Sequence, residues 1–403
     1  MHNPISSSDR KLFIAHAQEV ASFYGFSALE EKVKEERAKH KKNPVLPKLP
    51  KASTTGDRPE FYDTERYRVL KSFIDVGIIN SPTPLFVHHD TDTAKKEAPT
   101  YFGLDIMCTT KSVAEAIIIQ TSATILSEAG HKDIYVEINS LGDQESKLLF
   151  IKECSAYYRK HMQDLPAECK DALRRNMLDV MHCTKHKECI LIQEEAPKPL
   201  NFLSDESRDH FQEVLEYLEN IDIPYRINTT LMGTHECHTK TVFEIYAGFI
   251  SDSEEENAKN VLLAQGGRYD ELPRKIGFRR NLPAIGISFP LDTQCPKCAA
   301  GEIRKRPEPR IFLIQIGFSA KLLSLKVINM LRKENIEMKQ SLSRDRLGNQ
   351  LLQAESMKIP YTIIIGQREA LEKTVIVRNM DTRSQESVSV ADLSKYLHTV
   401  AKC

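Results

Sequence analysis

The 403-residue sequence has no tryptophan, no net charge and no long hydrophobic run. Its 56 Lys and Arg residues balance 56 Asp and Glu residues, so the overall charge favours neither nucleic acid nor a membrane surface. Apolar runs such as Tyr361–Ile365 are far shorter than the roughly 20 residues that span a bilayer. The first ten residues are polar and lack the apolar stretch of a secretory signal. We therefore expect a globular protein of the cytoplasm, without membrane association.

A disulfide framework is also missing. The nine cysteines are odd in number and irregularly spaced. In a chain of this length that pattern is typical of a reducing compartment, where thiols stay free or bind metal. The cysteines therefore have to be judged site by site.

One group of cysteines has the spacing of metal ligands. Cys183, His186 and Cys189 each stand three residues apart, with Cys169 upstream. A tetrahedral zinc site takes four such ligands at separations of this kind. Thiols that merely pack in the interior fit the same pattern, so zinc binding and packing both stay open. A second pair, Cys295–Cys298, has no partner pair, and an exposed turn is the favoured interpretation.

The chain divides into blocks of different character. Residues 32–51 hold eight Lys and Arg against two Glu, with three prolines, which predicts a solvated tether, although contact with RNA phosphates fits too. Strands and helices alternate before this pattern stops at Asn139–Asp143, a turn signal. From Gln144 to about Asn220 every long segment has helical periodicity, which predicts an all-helical insertion. Strand character then returns.

The C-terminal block forms a unit of its own. Strands and helices alternate from residue 308 onward, which predicts a parallel or mixed sheet with helices on its faces. This block holds 15 Lys and Arg against 10 Asp and Glu. A modestly basic α/β domain is compatible with RNA contact, and an ordinary solvated surface of mixed charge fits as well.

Five collinear motifs resemble those of the histidyl-tRNA synthetase family. Gln265–Asp270 reads QGGRYD, and Pro283–Gly286 reads PAIG at the family's spacing. Asn139–Asp143 resembles the turn after a core strand, Asn201–Ser207 resembles the helical insertion, and Thr239–Glu244 resembles the end of the histidine-specific motif. The last block resembles the anticodon-binding domain.

The resemblance implies a fold and its boundaries. It implies an α+β class II synthetase core on an antiparallel sheet, in residues 1–142 and 220–300. A helical insertion would occupy residues 143–219, and an α/β anticodon-binding-like domain would occupy residues 308–403. The family's dimer interface lies largely in motif 1, which departs from the family after Phe26, so a homodimer is left open.

The chemistry departs from the family at its arginines. Activation brings a histidine carboxylate against the α-phosphate of ATP, and the family neutralises these charges with arginines, whose planar fork is always charged. The motif 2 stretch Pro84–Asp105 contains no arginine. Thr293 stands at the arginine position of motif 3, and Gly233 at that of the histidine-specific motif. Losing one such contact typically costs about 10²–10³ in rate, so losing three predicts an inactive site.

Family positions also suggest which residues surround the former pocket. Candidates to replace the missing ATP contacts are His88, Lys95 and Lys96, although lysine is not equivalent to arginine at a bidentate site. We interpret the segment His235–His238 as part of a remodelled pocket. A nucleophilic Cys–His pair is disfavoured because no third group that would orient the pair can be identified. By resemblance, the pocket is lined by Glu60, Tyr101, Asp105, Gly233, Glu236, His238, Gly266, Gly267, Arg268 and Tyr269.

These observations favour a catalytically inactive synthetase-like protein that binds tRNA, a tRNA-like RNA or a protein partner. Arg344, Arg346 and Gln350 are the candidates for RNA contact. An active, divergent histidine–tRNA ligase that uses ATP stays open. So does a regulatory subunit of a metabolic enzyme, but the family's regulatory paralogue lacks the anticodon-binding domain. ATP is thus expected as a cofactor only in the active alternative.

Overall fold

The computed structural model describes residues 7–39, 65–75, 84–90, 100–175, 180–181, 183, 185–233, 238–248, 260–276, 280–291, 308–341 and 346–400. Two sheets organise these residues, one of eight strands and one of five. Among the described helices, none combines the length and the hydrophobicity that crossing a membrane requires.

The larger sheet has the spatial order β1-β2-β3-β8-β7-β6-β4-β5. Its strands from β2 across to β4 are antiparallel to their neighbours, which confirms the predicted antiparallel core. The two outermost pairs, β1 with β2 and β4 with β5, are parallel. The strands are β1 (Ser27–Ala28), β2 (Leu85–Asp90), β3 (Tyr101–Met107), β4 (Ile134–Ser140), β5 (Tyr225–Ile227), β6 (Thr239–Ala247), β7 (Val261–Arg268) and β8 (Ala284–Pro290).

Three helices cover one face of this sheet: α1 (Ser7–Phe23), α4 (Val113–Glu128) and α8 (Asp205–Asn220). Helix α4 is apolar on nearly all sides because it lies between the sheet and the other helices, so most of its residues are buried. The chain leaves α4 at Gly130, which has a φ of 102°.

The described residues cover the opposite face, called the second face here, at its two ends. Helix α3 (Glu65–Ile74) and the short helix α9 (Leu272–Lys275) pack over one end, with Leu85, Val87 and Tyr269. Helix α2 (Leu29–Lys39) joins the same cluster through Leu29 and Val33. The predicted tether over residues 32–51 is therefore wrong in its first part, because these apolar side chains hold a helix there. Residues 40–51 lie outside the described part of the chain.

A helical insertion covers the other end of the second face. It contains α5 (Gln144–Lys160), α6 (Ala167–Arg175), α7 (Lys187–Glu195) and a 3₁₀ turn (Pro199–Phe202). These elements share a small apolar core that also includes Leu141 and Val242. Helix α8, which the sequence placed in the same insertion, packs instead on the main core, because its apolar face reaches α4 and the sheet.

The C-terminal domain is the predicted mixed sheet with helices on its faces. Its strand order is β10-β9-β11-β12-β13, with the first three strands parallel and the last two antiparallel. Helix α11 lies on one face, and α10, α12 and α13 lie on the other. The elements are β9 (Ile311–Gln315), α10 (Phe318–Lys333), β10 (Met338–Gln340), α11 (Leu347–Ser356), β11 (Tyr361–Ile365), α12 (Gln367–Glu372), β12 (Thr374–Asn379), β13 (Gln385–Ser389) and α13 (Leu393–Val400).

Helix α10 joins the two domains. The guanidinium of Arg332 in α10 binds the carboxylates of Glu19 and Glu128, which belong to α1 and α4. The hydroxyl of Tyr24 donates to Asn329 at 3.1 Å, and the amide of Gln120 donates to the carbonyl of Leu325 at 3.1 Å. Apolar side chains of both domains form one continuous cluster around these contacts. The C-terminal domain is thus docked by packing and by a buried charge network.

Candidate functional site on the second face of the large sheet

Strand alternation decides which side chains reach the second face. In β3, Leu104 and Ile106 point to the helix-covered face, so Asp105 points to the second face. In β8, Ile285 and Ile287 are covered by the helices, which leaves Gly286 opposite Asp105. The stretch between α3 and the insertion, which no described helix covers, is therefore the candidate site.

Asp105 is fully buried at the centre of a polar cluster. Its Oδ2 lies 2.7 Å from Nε2 of His89, and its Oδ1 accepts a hydrogen bond of 2.7 Å from the hydroxyl of Tyr269. The guanidinium of Arg66 in α3 approaches Oδ1 to 3.6 Å. A Cβ atom at Gly286 would overlap both Asp105 and Arg66, so only glycine leaves room for this cluster. The carboxylate is satisfied by the protein itself.

Neighbouring histidines of β2 point in opposite directions. His88 stacks on Phe102 with ring centroids 6.1 Å apart, on the helix-covered face. His89 instead reaches Asp105. His88 therefore does not face the site where an ATP contact was predicted. Alternation relative to Asp105 was the signal that could have singled out His89.

Arg268 of the QGGRYD motif lies on the helix-covered face and is fully buried. Its Nε and Nη2 donate to Glu115 at 2.5 and 2.8 Å, and its other donors reach the carbonyls of Thr109 and Lys111 at 3.0 and 3.1 Å. Nε2 of His210 lies 2.6 Å from the same carboxylate. The family resemblance placed Arg268 in the lining of the pocket, whereas these contacts give it a structural role. Arg268 ties β7 to the first turn of α4.

The carboxylate of Glu115 stays ionised despite its burial. Burial alone would raise its pKa, but the charges of Arg268 and His210 and the hydrogen bonds from both lower the pKa of Glu115 to about 2. This buried pair lies beneath the sheet and leaves neither charge available to a ligand on the second face.

His238 packs over the glycines of the predicted pocket. Gly233 has a φ of 74°, and a Cβ atom there would overlap the imidazole of His238. A Cβ atom at Gly267 would lie 3.3 Å from Cδ2 of the same ring. His238 is itself buried. The chain's own imidazole therefore occupies space beside the glycine strand, where the family resemblance places the pocket.

A second group of carboxylates lies across β4 and β6. Glu137 and Glu244 stand directly opposite each other in the register of these strands. Arg226 and Asn228 donate to Glu137, and the hydroxyl of Tyr246 donates to Glu244 at 2.7 Å. Burial and the neighbouring Glu244 raise the pKa of Tyr246. Sequence reasoning missed this group because its members are far apart in the chain.

The remaining predicted residues lie on different faces of the fold or outside its described part. Tyr101 begins β3 on the second face, whereas Gly266 points to Phe243 on the helix-covered face. Arg346 is exposed before α11. Gln350 is fully buried, with its Nε2 donating to the carbonyl of Gln315 at 3.0 Å, so its side chain is not placed to contact RNA as predicted. Outside the described residues lie Glu60, Lys95, Lys96, Glu236, Thr293, Cys295, Cys298 and Arg344.

Comparison with known proteins places these features in a family. A family model described as "Histidyl-tRNA synthetase" matches residues 85–293, and one described as "Anticodon binding domain" matches residues 311–399. A histidine–tRNA ligase from Caldicellulosiruptor bescii is 29% identical over 338 residues, which cover 81% of this chain and 77% of that protein. One from Aquifex aeolicus is 29% identical over 310 residues, covering 77% and 73%.

A solved structure supports the fold alone. The crystal structure of apo S. aureus histidyl-tRNA synthetase aligns with a TM-score of 0.50 at 19% identity. The alignment covers 98% of this chain and 97% of that one.

Proposed function

Because the chain belongs to the histidyl-tRNA synthetase family, we propose that it is a member that binds tRNA or a tRNA-like RNA without activating histidine. The observation that carries this proposal is the charge on the second face. Arg66 and Arg226 lie there, and each is already held by a carboxylate, Asp105 and Glu137 respectively. Glu244 adds a further carboxylate beside Glu137.

ATP and the carboxylate of histidine are both anionic, so their approach requires cationic groups aimed at the reacting phosphate. Releasing Arg66 for that purpose would remove the guanidinium from buried Asp105 and leave it with His89 and the hydroxyl of Tyr269, at a cost typical of a broken buried ion pair. The motif 2 stretch contains no arginine, and Gly233 replaces the arginine of the histidine-specific motif. These losses argue against activation at a useful rate.

His238 supports the loss of histidine binding. Its ring packs against the glycines at which the family resemblance places the amino-acid pocket. A free histidine would have to displace this buried side chain. The pocket is thus closed by the chain itself.

RNA binding rests on the domain that the family keeps for that purpose. The anticodon-binding family model covers residues 311–399, and residues 308–403 carry an excess of basic over acidic side chains, 15 against 10. Contacts between basic side chains and RNA phosphates require only an exposed basic surface, so they survive the loss of the catalytic arginines. A protein partner would become the next candidate if RNA binding were absent.

Histidine-dependent ATP–pyrophosphate exchange tests the catalytic half of the proposal. The purified full chain should give no exchange above background, while the ligase from Caldicellulosiruptor bescii serves as the positive control. Exchange within about 100-fold of that control would contradict the proposal, because the loss of even one arginine contact typically costs about 10²–10³.

Charge reversal at two exposed arginines tests the RNA half. Arg346 precedes α11 on one face of the C-terminal sheet, whereas Arg368 in α12 lies on the other face. Arg346→Glu should weaken tRNA binding and reduce the slope of log affinity against log salt by about one. The control Arg368→Glu should leave both quantities nearly unchanged. Equal effects of the two variants would indicate non-specific attraction.

The second candidate function is an active histidine–tRNA ligase. The relatives from Caldicellulosiruptor bescii and Aquifex aeolicus, both named histidine–tRNA ligases, favour it. The same exchange assay separates the two candidates, since only the ligase requires pyrophosphate exchange.

A further inference from the structure

Four side chains of the helical insertion converge on one point. Cys169 belongs to α6, Cys189 to the first turn of α7, and Cys183 and His186 to the segment that joins the two helices. Their four ligand atoms, three sulfurs and one imidazole nitrogen, all lie within 4.8 Å of one another. None of these residues belongs to the candidate site on the second face.

The distances match the edges of a tetrahedron around a metal ion. Zinc binds thiolate sulfur at about 2.3 Å and imidazole nitrogen at about 2.0–2.1 Å, so tetrahedral geometry sets S···S edges of about 3.8 Å and S···N edges of about 3.6 Å. Sγ of Cys169 lies 3.7 Å from that of Cys183 and 3.4 Å from that of Cys189. Nδ1 of His186 lies 3.5 Å from Cys169 and 3.4 Å from Cys183. A disulfide would need about 2.05 Å.

The surroundings provide the support that such a site needs. Cys169 and Cys189 are buried, while Cys183 and His186 are partly exposed, which leaves a path for the ion. The backbone N–H groups of Lys185 and His186 lie beside the sulfur of Cys183 and favour its thiolate form. Donors of this kind orient a thiolate ligand and stabilise its charge.

The small size of the insertion is a further reason to expect a stabilising metal ion. The three described helices of the insertion span residues 144–195 and share a small core, and a core of this size supplies only limited stability, which a metal ion joining the helices would increase. We propose that Cys169, Cys183, His186 and Cys189 bind one structural zinc ion. Binding releases three thiol protons and joins α6, the connecting segment and α7 at one point. The role is structural because all four positions are filled by protein ligands.

Metal analysis of the full chain tests this proposal. Protein purified under reducing conditions without chelator should contain about one zinc ion per chain, as expected for a closed four-ligand site. Cys183→Ser and Cys189→Ser should each reduce bound zinc by at least about tenfold, since even changes outside the ligand set cost that much. Cys154→Ser is the matched control, because Cys154 is buried in the same core but lies outside the ligand set, and it should keep the zinc.

Two further measurements cover variants that fail to fold. Cobalt added to metal-free wild-type protein should produce the d–d bands of a tetrahedral cobalt–thiolate site. Removal of zinc should increase hydrogen exchange in Ala167–Arg175 and Lys187–Glu195 while leaving the sheet strands unchanged. Wild-type protein without zinc and without cobalt–thiolate bands would overturn the proposal. So would zinc that survives Cys183→Ser and Cys189→Ser but is lost in Cys298→Ser.

Discussion

Glu115 and Arg268 form a buried ion pair on which the junction between β7 and α4 depends. Glu115→Gln should lower the free energy of unfolding by about 3–5 kcal/mol, because the guanidinium loses its main counter-charge in the interior. Urea unfolding at neutral pH measures the loss. Glu153→Gln, a matched change at an exposed position of α5, should shift stability by less than about 0.5 kcal/mol.

The same pair has a defined pH dependence. The folded-state pKa of Glu115 is about 2, below its ordinary value of 4.5. The stabilisation that the ion pair provides is therefore complete above pH 4.5 and is lost as the pH falls toward 2. Stability of Glu115→Gln should therefore depend less on pH than the wild type between neutral pH and about pH 3. Parallel curves for the two proteins would contradict the assignment.

At the scale of elements, Asp143 joins the starts of two helices. Its carboxylate accepts from the backbone N–H of Ser146 in α5 at 2.9 Å and from the hydroxyls of Ser204 and Ser207 at the start of α8. Burial would raise the pKa of Asp143, but these hydrogen bonds lower it to about 2. Because α5 belongs to the insertion and α8 to the main core, this one side chain connects the two.

Asp143→Ala should reduce stability by about 0.5–2 kcal/mol, the usual cost of a lost N-cap, and increase hydrogen exchange in the first turn of α5. Asp205→Ala is the control, since Asp205 lies in the first turn of α8 but is fully exposed, and its one ion pair among the described residues is a long one with Arg208. Asp205→Ala should reduce stability clearly less than Asp143→Ala, because solvent screens an exposed charge at a helix start. Similar losses in both variants would show that Asp143 does not act as a cap.

At the scale of the whole molecule, Arg332 holds the C-terminal domain against the core. It is nearly buried, it binds Glu19 and Glu128, and its guanidinium lies 5.2 Å from the ring of Phe23. Burial alone would lower the pKa of Arg332, but the two carboxylates raise it by more than burial lowers it. The guanidinium therefore stays charged. Both domains therefore share one charge network as well as one apolar core.

Arg332→Met removes this charge and leaves two carboxylates facing each other. We expect the free energy of unfolding to fall by about 3–5 kcal/mol and proteolysis between the domains to become faster. Urea unfolding and limited digestion measure these two changes. Arg368→Met, at an exposed site that pairs only with Glu372 among the described contacts, should leave the free energy of unfolding nearly unchanged. Unchanged proteolysis of Arg332→Met would show that apolar packing alone docks the domain.

The sequence by itself determined the features that rest on local patterns. Helical periodicity predicted the helices of the insertion, and alternating strand and helix patterns predicted the C-terminal sheet, because the buried face of a single element can be recognised from neighbouring residues. Motif order identified the family that the comparisons show. Ligand spacing selected the four insertion residues, since three of them lie within seven consecutive positions.

Only the tertiary structure decided which distant groups meet. Glu115 and Arg268 are 153 residues apart, and the sequence around either residue does not indicate that the two pair. Gln350 is buried because α11 packs on β9, and His89 rather than His88 reaches Asp105 because β2 pairs with β3 in one register and not the next. Contacts of this kind depend on which faces pack together, and that choice belongs to the assembled fold.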